Sequence, residues 1–156
     1  MIGESMGLLR SALCAALAGE EDIEVVAAAT GIGDLPAMVR RHLPDVVLVD
    51  LASGVPEPVA VITEITGAAP ATAVLALSDR WSRGLVTEAL TAGAQGLVGK
   101  DEPLHELVRA VRALDGAAAR HGPADASGGR GAADGRRRAA AQGDRPPAVP
   151  GARHGA

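Results

Sequence analysis

An α/β fold with a doubly wound, five-stranded parallel sheet is the architecture this sequence encodes, and three features carry that expectation. The run Pro44-Asp45-Val46-Val47-Leu48-Val49-Asp50 is unbroken in its apolar part and bounded by Pro44 before it and Gly54 and Pro56 after it. That is the length and composition of a buried strand, not of a helix. Similar short runs recur along the chain with helix-periodic segments between them. Such spacing excludes hairpins and calls for crossover connections, hence parallel strands covered on both faces.

The elements follow in order. Met6 to Ala18 places Leu8, Leu9, Ala12, Leu13, Ala16 and Leu17 at helical spacing, and Gly19 with Glu20, Glu21 and Asp22 ends it. Ile23 to Ala29 reads as a β-branched strand, and Thr30-Gly31-Ile32-Gly33-Asp34 supplies turn residues and a helix cap. Leu35 to Leu43 is the second helix, Val46 to Asp50 the next strand, and Val59 to Thr66 a helix with Ile62 and Ile65 inward. Ala73 to Ser78 is a strand, Ser82 to Ala92 a helix, Gly96 to Lys100 the last strand, and Pro103 to Leu114 the last amphipathic helix. A strand is also expected before the first helix, yet Met1-Ile2-Gly3-Glu4 leaves two or three residues for it, against the usual five or six. In the strand order 2-1-3-4-5 that short strand is internal, so its loss exposes neighbouring edges and core area.

Composition narrows the class. The 156 residues suit one domain and some excess. Phe and Tyr are absent and Trp81 is the only aromatic, so the core is built from Val, Leu, Ile and Ala. The single Cys14 excludes a disulfide framework and fits a reducing compartment. No segment reaches the roughly 18 apolar residues of a membrane span and no charged leader opens the sequence, so a cytoplasmic protein without membrane contact is expected. Charge is divided: through residue 119 there are 8 Lys and Arg against 16 Asp and Glu, and from Arg120 onward 7 Arg against 3 Asp. His121 to Ala156 has Val149 as its only large aliphatic residue. Such a segment buries too little apolar surface to offset its ordering entropy. The expected organisation is a folded body over residues 1–118 and a disordered Arg/Gly/Ala/Pro-rich tail over 119–156. The run Arg136-Arg137-Arg138 makes nucleic-acid binding conceivable, but the body is acidic and no aromatic residue accompanies the arginines.

Three residues capable of chemistry fall at the ends of successive strands: Asp50 after the third, Ser78 after the fourth and Lys100 after the fifth, with Glu4 near the end of the first. Read alone, Asp50 or Ser78 suits a turn or helix cap and Lys100 a solvated surface. The carboxyl ends of parallel strands are where doubly wound folds place their ligands, and that location groups the four. With Pro44 to Leu51, the segment Ala92-Gly93-Ala94-Gln95-Gly96-Leu97-Val98-Gly99-Lys100-Asp101 resembles the receiver domain of NarL/FixJ (LuxR-type) response regulators. The resemblance covers Ile2 to Leu114 and implies the flavodoxin-like receiver fold.

The resemblance implies that Asp50 accepts a phosphoryl group from a sensor histidine kinase. It makes Ser78 and Lys100 the residues that bind the group and switch. It also assigns Mg²⁺ to Glu4, Asp50 and the backbone carbonyl of Ala52. This would be a phosphorelay module acting through protein contacts, with a receiver homodimer or a downstream regulator as partner, in transcriptional regulation, and not an enzyme. Several positions depart from the family. Glu4-Ser5 stands where the family carries two adjacent acids, so a hydroxyl replaces a carboxylate and Mg²⁺ binding is expected to be weakened. Asp50-Leu51-Ala52-Ser53-Gly54-Val55-Pro56 lacks the family's Met-Pro-Gly order, and Leu97 stands where an aromatic rotamer commonly reports activation. The tail is too short and polar for a helix-turn-helix output domain, so direct DNA binding is not expected. These departures leave open a phosphorylation-independent pseudo-receiver, or a truncated or frameshifted regulator.

Overall fold

A computed structural model describes residues 1–51 and 58–118, with 117 and 118 described in backbone only. The elements are β1 (Ile2–Gly3), α1 (Gly7–Ala18), β2 (Ala28–Ala29), α2 (Leu35–His42), β3 (Val46–Asp50), α3 (Pro58–Ala68), β4 (Ala73–Ser78), α4 (Arg83–Ala92), β5 (Gly96–Gly99) and α5 (Leu104–Ala118). The strands form one sheet in the order β2-β1-β3-β4-β5, and every pairing is parallel. The expected fold class and strand order are those observed. The expected tail, residues 119–156, lies outside the described residues.

Strand alternation divides the core into two halves. Val47, Val49, Val74 and Ala76 face one side and pack with Ile32, Leu35, Val39, Ile62, Ile65 and Ala89. Val46, Leu48, Leu75 and Leu77 face the other and pack with Leu13, Leu17, Leu107, Val108 and Val111. Both faces are apolar because helices cover both, which is why β3 and β4 read as continuous rather than alternating runs. Ile62 and Ile65 are fully buried, as their helical spacing predicts. Trp81, half-buried in the turn before α4, packs against the first half-core.

The sheet is weakest around β1. Its two residues pair Ile2 with Ala28 and Leu48, and Gly3 with Ala29 and Val49. The Met1 ammonium donates to the carbonyl of Val46 at 2.9 Å, and the Met1 carbonyl accepts from Leu48 at 2.9 Å. The terminal amine therefore takes the place of a ladder amide. Gly3 is required by packing: a Cβ there would lie 2.3 Å from Leu35 Cδ1.

Two expectations need correction. The strand expected over Ile23 to Ala29 is paired only at Ala28–Ala29. Residues 23–27 keep an alternation of half-buried and exposed positions, but an edge strand can be no longer than its partner, and β1 offers two residues. The second correction is Asp34. It stands at the cap position of α2 in a helical conformation with no side-chain hydrogen bond to the helix; Leu35 N–H donates instead to the carbonyl of Ile32 at 3.1 Å. At the other end of α2, Leu43 adopts the left-handed conformation (φ 45°) that closes the helix before Pro44.

Candidate functional site at the carboxyl edge of the sheet

Parallel strands β1, β3 and β5 end side by side with β4, and their chain directions bring Glu4, Asp50 and Lys100 to one edge. Asp50 is the last residue of β3 and only 1% exposed. Glu4 follows β1 and is fully buried. Lys100, the chain's only lysine, follows β5. Its Nζ lies 2.7 Å from Asp50 Oδ1 and 2.9 Å from Glu4 Oε2. One ammonium thus bridges the ends of two strands from a third. Its side chain is 14% exposed, so burial works against its charge; the adjacent carboxylates of Asp50 and then Glu4 outweigh that cost and hold the group above its ordinary pKa.

The loop from β1 to α1 is shaped around the same carboxylate. Glu4 Oε1 accepts the N–H of Met6 at 2.8 Å, placing negative charge at the positive end of α1. Arg10, one turn into α1, donates to the carbonyl of Glu4 at 2.7 Å, and to that of Ser5 at 3.4 Å. The Ser5 hydroxyl is 3.4 Å from Asp50 Oδ2, a long contact from an exposed residue. Arg10 is the residue that sequence reasoning missed: a helix arginine folding back on the carbonyls that precede its own helix has no motif, although its spacing from Glu4 puts it within reach.

Ser78 is placed at the end of β4 and buried, yet its hydroxyl turns to Arg80. It donates to the Arg80 carbonyl at 3.0 Å and accepts the Arg80 N–H at 3.2 Å, a local hydroxyl-backbone turn. What Ser78 contributes to the cluster is its carbonyl, which accepts the Lys100 N–H at 2.8 Å and fixes where Lys100 leaves the sheet. Leu97 lies within β5. Ala52 lies outside the described residues.

Whether these residues fit a divalent metal turns on the donors present. Two carboxylates and a hydroxyl converge, and Glu4 Oε2, though ion-paired with Lys100, has no hydrogen bond of good geometry. Oxygen donors of this kind suit Mg²⁺. No cluster of three acidic, His or Cys ligands occurs among the described residues, in keeping with a hydroxyl at Ser5.

Residues 4–112 match the response regulator receiver domain. The chain belongs to the response regulator receiver family. It is 30% identical over 115 residues to the oxygen regulatory protein NreC of Staphylococcus haemolyticus, covering 73% of this chain and 53% of that protein. It is 30% identical over 111 residues to the transcriptional regulatory protein LnrK of Bacillus subtilis, covering 71% and 50%. This receiver thus spans about half the length of those relatives. Among solved structures, the receiver domain of the putative response regulator NarL from Mycobacterium tuberculosis superposes with a TM-score of 0.68 at 28% identity, covering 74% of this chain and 93% of that one. A LuxR-family response regulator from Aurantimonas superposes with a TM-score of 0.69 at 25% identity, covering 75% and 84%. Receivers of this family are signalling modules of two-component systems that engage histidine kinases and downstream effectors, and they generally bind Mg²⁺ at their phosphorylation site. No helix among the described residues is long and apolar enough to cross a membrane.

Proposed function

We propose that Asp50 is the phosphoacceptor of this receiver, taking its phosphoryl group from a phosphohistidine of a sensor kinase. The observation that carries the reading is the Lys100 ammonium 2.7 Å from Asp50 Oδ1 at the closed end of β3. An Asp50 carboxylate oxygen attacks phosphorus as the P–N bond breaks, and the imidazole leaves with the electron pair. Phosphoryl transfer needs cationic groups around the equatorial oxygens rather than covalent help from the protein. Lys100 supplies one. Mg²⁺, held by Glu4, Asp50 and the Ala52 carbonyl, would supply the other when bound. The acyl phosphate carries about 1.5 to 2 negative charges on its outer oxygens in place of the single charge of the Asp50 carboxylate, which it no longer has. That charge therefore draws Lys100 from Glu4 toward the new oxygens. Ser78 would leave its turn with Arg80 to donate to them. Output passes through protein contacts, to a second receiver or a downstream regulator, in transcriptional regulation and without direct DNA binding.

Ser5 favours a second reading. With a hydroxyl where a second carboxylate would hold metal, the domain would be a pseudo-receiver that partners recognise without phosphate. Acetyl phosphate labelling read by mass spectrometry separates the two. Labelling of the wild type that needs Mg²⁺ and disappears in Asp50→Asn supports the phosphoacceptor. Labelling of Ser5→Asp alone, with the wild type unlabelled at high Mg²⁺, supports the pseudo-receiver. Labelling that persists in Asp50→Asn overturns the assignment of Asp50.

A further inference from the structure

Glu4 is fully buried, yet the four residues after it, Ser5 to Leu8, are all exposed. Packing therefore does not hold the bend from β1 to α1, and its hydrogen bonds must. Met6 stands at the cap of α1 with no side chain bonded to the helix, and no acidic residue lies in the first turn. Arg10 stands at that turn instead, where its positive charge meets the positive end of the helix and is unfavourable. A residue that breaks a local rule calls for a compensating contact. Arg10 finds it in the two carbonyls of the bend, donating to that of Glu4 at 2.7 Å and to that of Ser5 at 3.4 Å. Its own backbone N–H donates to the Met6 carbonyl at 2.9 Å. One residue thus closes the first helical turn with its main chain and the preceding bend with its side chain.

We propose that Arg10 is a positioning residue of the phosphorylation site: it fixes the Glu4-Ser5 peptide, and through it the direction in which the Glu4 carboxylate leaves the backbone. Its part in phosphoryl transfer rests on the reading of Asp50 as phosphoacceptor; the geometry it enforces does not. A planar peptide anchored by its carbonyl sets the chain on either side of it. Glu4 Oε1 and Oε2 then reach the Met6 N–H and the Lys100 ammonium together, at 2.8 Å and 2.9 Å. With Ser5 next to it, Glu4 is the single carboxylate that this bend contributes, so no second acid makes up for its misplacement. Groups that orient a metal-ligating carboxylate from behind cost roughly 10–100-fold in metal affinity when removed. Arg10 acts in that way, through Glu4 and at one remove from the reacting atoms.

Lys100 is the only lysine, so the full chain labelled with ¹⁵Nζ-lysine gives a single ammonium resonance. Held between two carboxylates and largely buried, that ammonium exchanges slowly, and its resonance should be sharp in the wild type. Arg10→Met keeps the apolar stem and removes every donor. It should fold, with a urea midpoint close to wild type, and should broaden the Lys100 resonance beyond detection as Glu4 turns away. Its labelling by acetyl phosphate should need on the order of tenfold more Mg²⁺ for half its maximum, with the maximum itself retained. Arg10→Lys, which restores a charged donor, should recover the wild-type Mg²⁺ requirement. Leu8→Ala, at an exposed position of the same turn, should match the wild type in both measurements. An unchanged Lys100 resonance or Mg²⁺ requirement in Arg10→Met, or a loss that Arg10→Lys does not rescue, overturns the proposal; so does unfolding of Arg10→Met, since the arginine would then serve the fold at large. A wild type that takes no label overturns Asp50 as phosphoacceptor instead, and the Lys100 resonance, which needs neither phosphodonor nor metal, still decides the role of Arg10.

Discussion

Lys100 holds together two buried carboxylates that would repel without it, so its removal has a stated sign. In Lys100→Met, Glu4 and Asp50 face one another with no cation between them. Breaking a buried pair by deleting one partner costs about 3–5 kcal/mol, and the partial exposure here places the loss near the lower end. The loss should appear as a lowered urea midpoint, and Lys100→Arg, which keeps the charge, should recover much of it. A deficit as large in Lys100→Arg as in Lys100→Met would show that Lys100 acts through packing of its stem rather than its charge. Residue types at this site were legible because strand ends are local: Asp50, Glu4 and Lys100 each follow an apolar run. The rotamer of Ser78 was not, since its hydroxyl chooses between Arg80 and the cluster by geometry that no local pattern encodes.

Helices and inner strands were read nearly to their ends, and the reason is that burial sets their length. Val46–Asp50 and Ala73–Ser78 have the bounds the sequence predicts, because each is flanked by strands and covered by helices over its whole length. β2 differs since its extent is decided by β1, far away in sequence. The same element-level view gives a prediction at α2. Leu43 is exposed and closes the helix at φ 45°, a conformation costing roughly 1–2 kcal/mol for a residue with a Cβ. Glycine removes that cost and adds some unfolded-state entropy of its own. Leu43→Gly should raise stability by about 0.5–1 kcal/mol in denaturant melts, and Leu43→Val should lower it, since β-branching tolerates the left-handed region least.

For the molecule as a whole, stability is tied to its first atom. The Met1 ammonium is lowered from 8.0 to about 6, chiefly by burial. In the unfolded chain the amine binds a proton below about 8, whereas the folded chain resists doing so until about 6. Between these values the unfolded state holds more protons, so stability is full above pH 8 and is lost as pH falls to 6, by roughly 2–3 kcal/mol. Thermal melts across that window should show the slope, and acetylating the amine should remove it. Each half-core lies against helices with no aromatic ring except one. Because Trp81 packs on the first half-core and stands three residues beyond Ser78, in a chain with no tyrosine, intrinsic emission comes from a single indole beside the β4–α4 turn. The protein is thus its own optical reporter: quenching or a wavelength shift on adding a phosphodonor would register motion of that turn without a label and without a second fluorophore to subtract.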